Sequence, residues 1–101
     1  MAAYLIYQAE VTDEDQYAKY MAKTGPSIAA VGGRFVVRGG DVVALEGDAP
    51  PGRTVVVEFP TMEVALEWYR GDEYTQIRQL RAGAALARMY AIEGPPPTGD
   101  A

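Results

Sequence analysis

The segment Gly32-Gly33-Arg34-Phe35-Val36-Val37-Arg38-Gly39-Gly40 constrains the fold of this chain more than any other. Glycine pairs bracket a run too short for a helix and rich in the β-branched and aromatic residues that strands favour. Strand alternation places Arg34, Val36 and Arg38 on one face and Phe35 and Val37 on the other. Gly39-Gly40 is expected to form a two-residue hairpin turn, because both central positions of such a turn take positive φ. Val42 to Glu46 then reads as the returning extended piece.

The rest of the chain falls into long elements around this marker. Tyr4 to Val11 alternates as a strand, with Leu5, Tyr7, Ala9 and Val11 on one face and Tyr4, Ile6 and Gln8 on the other. Thr12 reads as an N-cap, with Asp15 completing a capping box. The helix that follows aligns Tyr17, Tyr20, Met21 and Thr24 at spacings of three and four. Gly25-Pro26 is expected to interrupt it, leaving a second helical piece from Ser27 to Val31. Arg53 to Phe59 is the clearest strand, after the loop Gly47-Asp48-Ala49-Pro50-Pro51-Gly52. Thr61 caps a helix whose inner stripe is Val64, Ala65, Trp68 and Tyr69. Asp72 is expected to cap a further turn aligning Tyr74, Ile77 and Leu80. Leu86 to Glu93 is the last strand.

The order β-α-β-β-α-β describes an α+β, ferredoxin-like domain, an antiparallel sheet with helices on one face. It is expected to occupy residues 1–94, with residues 95–101 a Pro-rich C-terminal tail. Such a sheet normally turns a polar face to water. Here Val55, Val57 and Phe59 oppose Val56, and Leu5, Tyr7 and Ala9 oppose Tyr4 and Ile6, so whichever face the helices cover, apolar surface remains on the other. That face calls for a partner, and a second copy about a two-fold axis is the simplest one.

Composition removes whole classes of function. The chain has 101 residues and a net charge of −5, so it lacks the basic face that nucleic acid or anionic lipid would need. No apolar run approaches the roughly 20 residues of a membrane span. The N-terminus has no signal-like segment, and a cytoplasmic location is expected. Cysteine and histidine are both absent, which excludes disulfides, thiolate chemistry, histidine triads and histidine-ligated haem or zinc. The acidic run Asp13-Glu14-Asp15 lies where a helix begins and suits its dipole better than a metal. No metal site and no cofactor is expected.

The Gly32–Gly40 segment, Leu45-Glu46-Gly47, Val57-Glu58-Phe59-Pro60, Trp68-Tyr69, Glu73-Tyr74 and Leu80-Arg81-Ala82-Gly83-Ala84 together resemble the uncharacterised family called domain of unknown function thirteen-thirty. The resemblance runs from about Tyr4 to Gly94. It implies the dimeric α/β barrel group, in which ferredoxin-like protomers pair sheet to sheet. That group includes small monooxygenases, lactone isomerases and haem-binding enzymes, but the family itself has no assigned reaction.

Candidate site residues follow from charge and spacing. Arg34 and Arg38 are separated by about 13 Å of strand, so each is expected to have its own partner. Either they pair with acids such as Glu46 and Glu58, or they form an anion site through their planar guanidinium forks. Glu58 lies between Val57 and Phe59. It is either an ion-pair member or, if buried alone, a general base. Tyr74, Arg78 and Arg81 share a helix face; either they line a pocket between helix and sheet with Tyr69, or Tyr74 is a core residue and the arginines are surface groups pairing with Glu73 or Asp72. Tyr17 and Tyr20 read as core residues whose hydroxyls reach solvent. The expected function is a homodimer holding a small anionic or aromatic organic molecule in a sheet–helix cleft. Any chemistry would be cofactor-free, with Glu58 and Tyr69 as acid–base candidates and Arg34, Arg38, Glu46, Tyr74, Arg78 and Arg81 as ligand contacts. A non-catalytic ligand-binding or structural dimer and a metal-free monooxygenase are the alternatives.

Overall fold

The computed structural model describes residues 1–96. Seven elements run in the order β1 (Ala2–Val11), α1 (Glu14–Ala30), β2 (Arg34–Arg38), β3 (Arg53–Phe59), α2 (Met62–Arg70), α3 (Asp72–Gln79) and β4 (Ala85–Gly94). The four strands form one antiparallel sheet in the order β2-β3-β1-β4. The fold is α+β and ferredoxin-like. Of the Pro-rich tail expected at 95–101, residues 97–101 lie outside the described residues.

One face of the sheet carries the core. Ala3, Leu5, Tyr7 and Ala9 of β1 and Val55, Val57 and Phe59 of β3 point toward the helices and are buried. Tyr17, Tyr20 and Ile28 of α1, Ala65 and Trp68 of α2, and Tyr74 and Ile77 of α3 meet them. Fully burying a side chain such as Phe59 or Val57 contributes about 1.5–3 kcal/mol. The opposite face has no helix. Leu86, Tyr90 and Ile92 of β4 are exposed there, beside the half-buried Ile6 and Val56.

Several elements differ from their expected form, each for a local reason. Asp13, not Thr12, caps α1 and accepts from the Gln16 amide at 3.1 Å. Thr12 is tied instead to the turn before β4, where its amide donates to the Ala84 carbonyl at 2.7 Å. Helix α1 runs unbroken through Pro26. Ser27 and Ile28, just beyond it, are buried, and their packing outweighs the hydrogen bond that a proline removes. Gly71 rather than Asp72 stands at the N-cap of α3, with no side-chain cap bond, while Thr61 caps α2 as expected. There is no Gly39-Gly40 hairpin and no strand at Val42–Glu46. Residues 39–52 form an exposed connection, although the Gly39 amide still donates to the Thr54 carbonyl at 3.0 Å.

The correction that matters most lies inside the opening segment. Phe35 pairs with Val57 and Val37 with Val56, so Val36 is the extra residue of a β-bulge. Arg38 then pairs with Val55, whose side chain faces the helices, while Arg34 pairs with Glu58 on the open face. The bulge inverts the alternation. Arg34 and Arg38 lie on opposite faces of the sheet, not on one.

Candidate functional site

Between α1 and the sheet lies a cavity of about 50 Å³ whose lining is mostly apolar. Leu5, Ile28, Val57 and Trp68 form its buried part together with Tyr7, Tyr17 and Tyr20. Two cations stand among the lining residues. The Arg38 guanidinium lies 4.1 Å from the centre of the Phe35 ring. Arg53, at the start of β3, donates through Nη1 to the Met21 thioether at 3.4 Å. Gly39 makes room for the Arg53 side chain, whereas Gly25 only neighbours Arg38. A Cβ at Gly39, where φ is +75°, would stand 2.8 Å from an Arg53 nitrogen, and one at Gly25 would meet Arg38 at 3.6 Å.

Four buried tyrosines continue the site inward. Tyr17 donates to the Tyr7 hydroxyl at 3.1 Å, and the hydroxyls of Tyr20 and Tyr74 share a bond of 2.7 Å. The Arg81 guanidinium lies over the rings of Tyr7 and Tyr20, at 5.6 and 5.3 Å. Trp68 stacks on Tyr74 with ring centres 4.1 Å apart and donates from Nε1 to Ser27 Oγ at 3.0 Å.

This arrangement has more donors than acceptors. Four hydroxyl protons meet only two hydrogen bonds within the cluster. The Nε atoms of Arg53 and Arg81 are buried without a partner among the described residues. The one ion pair among those residues joins Arg34 to Glu58, so Arg38, Arg53 and Arg81 have no carboxylate within 4.0 Å. Arg38 and Arg53 line one cavity and neither has a carboxylate partner among the described residues, which makes that cavity complementary to an acceptor that carries negative charge.

Burial fixes the protonation of the tyrosines. Desolvation raises the pKa values of Tyr7, Tyr17 and Tyr74. For Tyr7 the hydrogen bond with Tyr17 adds to the rise, and for Tyr74 the neighbouring Tyr20 does. Near neutral pH they are therefore hydrogen-bond donors and not bases. Burial works against the Arg81 charge, but the hydrogen bond with Tyr74 and the nearby phenols outweigh it, so its pKa lies above the usual value.

The residues singled out from sequence divide among three places. Arg38 lines the cavity, and Tyr74 and Arg81 belong to the cluster beneath it. Tyr69 and Arg78 form a separate contact on the outer side. The Arg78 guanidinium donates to the Tyr69 hydroxyl, and the Tyr69 ring packs on Tyr74 at 5.5 Å. Arg34 and Glu58 are ion-paired at 2.6 Å on the open face, away from the cavity. Glu46 lies in the exposed 39–52 connection. Tyr17 and Tyr20 are buried rather than reaching solvent, and Tyr7 and Arg53 complete the set. The inward positions of Tyr7, Tyr17 and Tyr20 were visible in the alternation of β1 and α1, but their meeting with Arg81 was not.

The family model described as Domain of unknown function (DUF1330) matches residues 2–95. The chain belongs to this family. No curated protein matches it. Among solved structures, this DUF1330 protein is similar to a protein of unknown function from Rhodopseudomonas palustris. The TM-score is 0.75 at 20% identity, covering 95% of this chain and 84% of that one. It is also similar to SnoaB, a cofactor-independent oxygenase from Streptomyces nogalater, with a TM-score of 0.62, 10% identity and 98% of both chains covered. A putative antibiotic biosynthesis monooxygenase from Nitrosomonas europaea gives a TM-score of 0.57 at 16% identity, over 93% of this chain and 98% of that one. At these identities the likeness establishes the ferredoxin-like fold and leaves the chemistry to the residues of the DUF1330 chain itself.

Proposed function

We propose that the protein is a homodimer that binds a small organic anion in the cleft between α1 and the sheet. The observation that carries this reading is the pair of arginines lining the cleft, Arg38 and Arg53, neither with a carboxylate within 4.0 Å among the described residues. An anion there would meet guanidinium donors at one end and apolar surface at the other. The dimer would form through the open sheet face. Exposed Leu86, Tyr90 and Ile92, with Ile6 and Val56 beside them, would be covered by a second copy.

If the bound anion is transformed, the chemistry is that of a site with donors and no resident base. Glu58 faces the other way, and the tyrosines hold their protons. Such a cleft stabilises the conjugate base of a substrate acidic enough to give its proton to bulk water before it binds, and the tyrosine hydroxyls, which keep their protons, donate hydrogen bonds. This chemistry agrees with the likeness to a cofactor-independent oxygenase. A thermal-shift comparison of small carboxylates, phenolates and phosphates tests the reading. Stabilisation of the wild type that disappears in an Arg38→Gln/Arg53→Gln double variant supports it. Equal stabilisation of both proteins, or of neither by any anion, refutes it.

A further inference from the structure

Resting on the anion reading above, we infer that the ligand is a short aliphatic carboxylate of about two to four carbons and not an aromatic one. Size decides between the two. A closed apolar cavity that takes benzene measures about 150 Å³. The cleft here is partly open to solvent and its water-sized space is about 50 Å³, a third of that, which is room for two or three carbon atoms beyond a head group placed toward solvent.

The lining sets the orientation. Leu5, Ile28, Val57 and Trp68 offer apolar surface, since the Trp68 N–H is already given to Ser27, and the equally buried Tyr7, Tyr17 and Tyr20 present rings whose hydroxyls bond one another or Tyr74. Ordered water would find few partners there, whereas an alkyl tail would fill the space. The carboxylate belongs at Arg38 and Arg53, the cations of the lining. Arg53 has no carboxylate partner among the described residues, and its guanidinium keeps its Met21 contact. A benzoate ring in the same orientation exceeds that space and would press on the lining, Trp68 included. Trp68 is held by its bond to Ser27 and by stacking on Tyr74 and Phe59.

Isothermal titration of the full chain with formate, acetate, propionate, butyrate, hexanoate and benzoate tests this, with propionamide as the neutral control. Affinity is expected to peak at propionate or butyrate and to fall at least about tenfold for hexanoate and benzoate, with no binding of the amide. Hexanoate or benzoate binding as tightly as propionate, or amide binding as tightly as acid, overturns the inference. Carboxylates that bind regardless of length leave the anion reading standing and remove only the size claim. No heat from any carboxylate removes both. Enlarging the closed end by Val57→Ala is expected to move the optimum to a longer chain. Ile28→Val makes the same test with a smaller perturbation. An unchanged optimum in a folded variant contradicts the placement of the tail.

Discussion

Alkaline pH should unfold this protein through its buried tyrosines. Tyr7, Tyr17 and Tyr74 have relative exposures of 4%, 2% and 1%, and burial raises all three pKa values above the unfolded 10.0. The sign follows from linkage. A raised folded-state pKa leaves stability intact below pH 10 and removes it above, because only the unfolded chain releases the proton readily. At pH 11 each such group costs about 1.4 kcal/mol, so Tyr7 and Tyr74 together cost about 3 kcal/mol, and Tyr17 adds to this. That is a large share of the 5–15 kcal/mol typical of a domain, so unfolding is expected about one to two pH units above 10. The assay follows the near-ultraviolet tyrosinate band and far-ultraviolet circular dichroism in one titration. Part of the band should grow only with the loss of secondary structure. All seven tyrosines ionising together near pH 10 in a chain that stays folded would refute the claim that the cluster is buried and protonated.

Other perturbations separate the parts of the structure. Gly52→Ala should destabilise by about 2 kcal/mol or more, because φ is +77° and the new Cβ would lie 2.0 Å from the Ala9 carbonyl oxygen. Gly47→Ala, at φ +69° with open space around it, should cost only about 1 kcal/mol, and urea titration of the two isolates the clash. Glu58→Gln should cost the monomer no more than about 1 kcal/mol and leave ligand stabilisation unchanged, since its partner Arg34 is half exposed and the pair faces away from the cleft. A loss of ligand response in that folded variant would return Glu58 to the site. Ile92→Glu, placed on the open face, should convert a dimer to a monomer in sedimentation, and an unaltered mass would exclude this face as the interface.

How much was legible depended on the range of the interactions involved. Strand β3 was read to its ends, because Val55, Val56 and Val57 carry their own signal. Helix α2 and its Thr61 cap were read from local chemistry. Pro26 misled because propensity is local, whereas the contacts that hold Ser27 and Ile28 in α1 come from Trp68 and the sheet. The bulge at Val36 was hidden for the same reason. It exists only in the register of β2 against β3, and a shift of one residue moved Arg38 from the open face to the cleft. The pairing of Arg34 with Glu58 was anticipated among its alternatives. The tyrosine–arginine cluster was not, because Tyr7 lies on β1, Tyr17 on α1, and Tyr74 and Arg81 on α3 and the turn after it, three segments far apart in the chain.

The most direct test of the anion site is a crystal structure at saturating propionate. The account predicts a carboxylate between Arg38 and Arg53, with its alkyl end against Leu5 and Val57. Propionate at the Arg34–Glu58 face, or on Arg78 with the cavity unchanged, would contradict it.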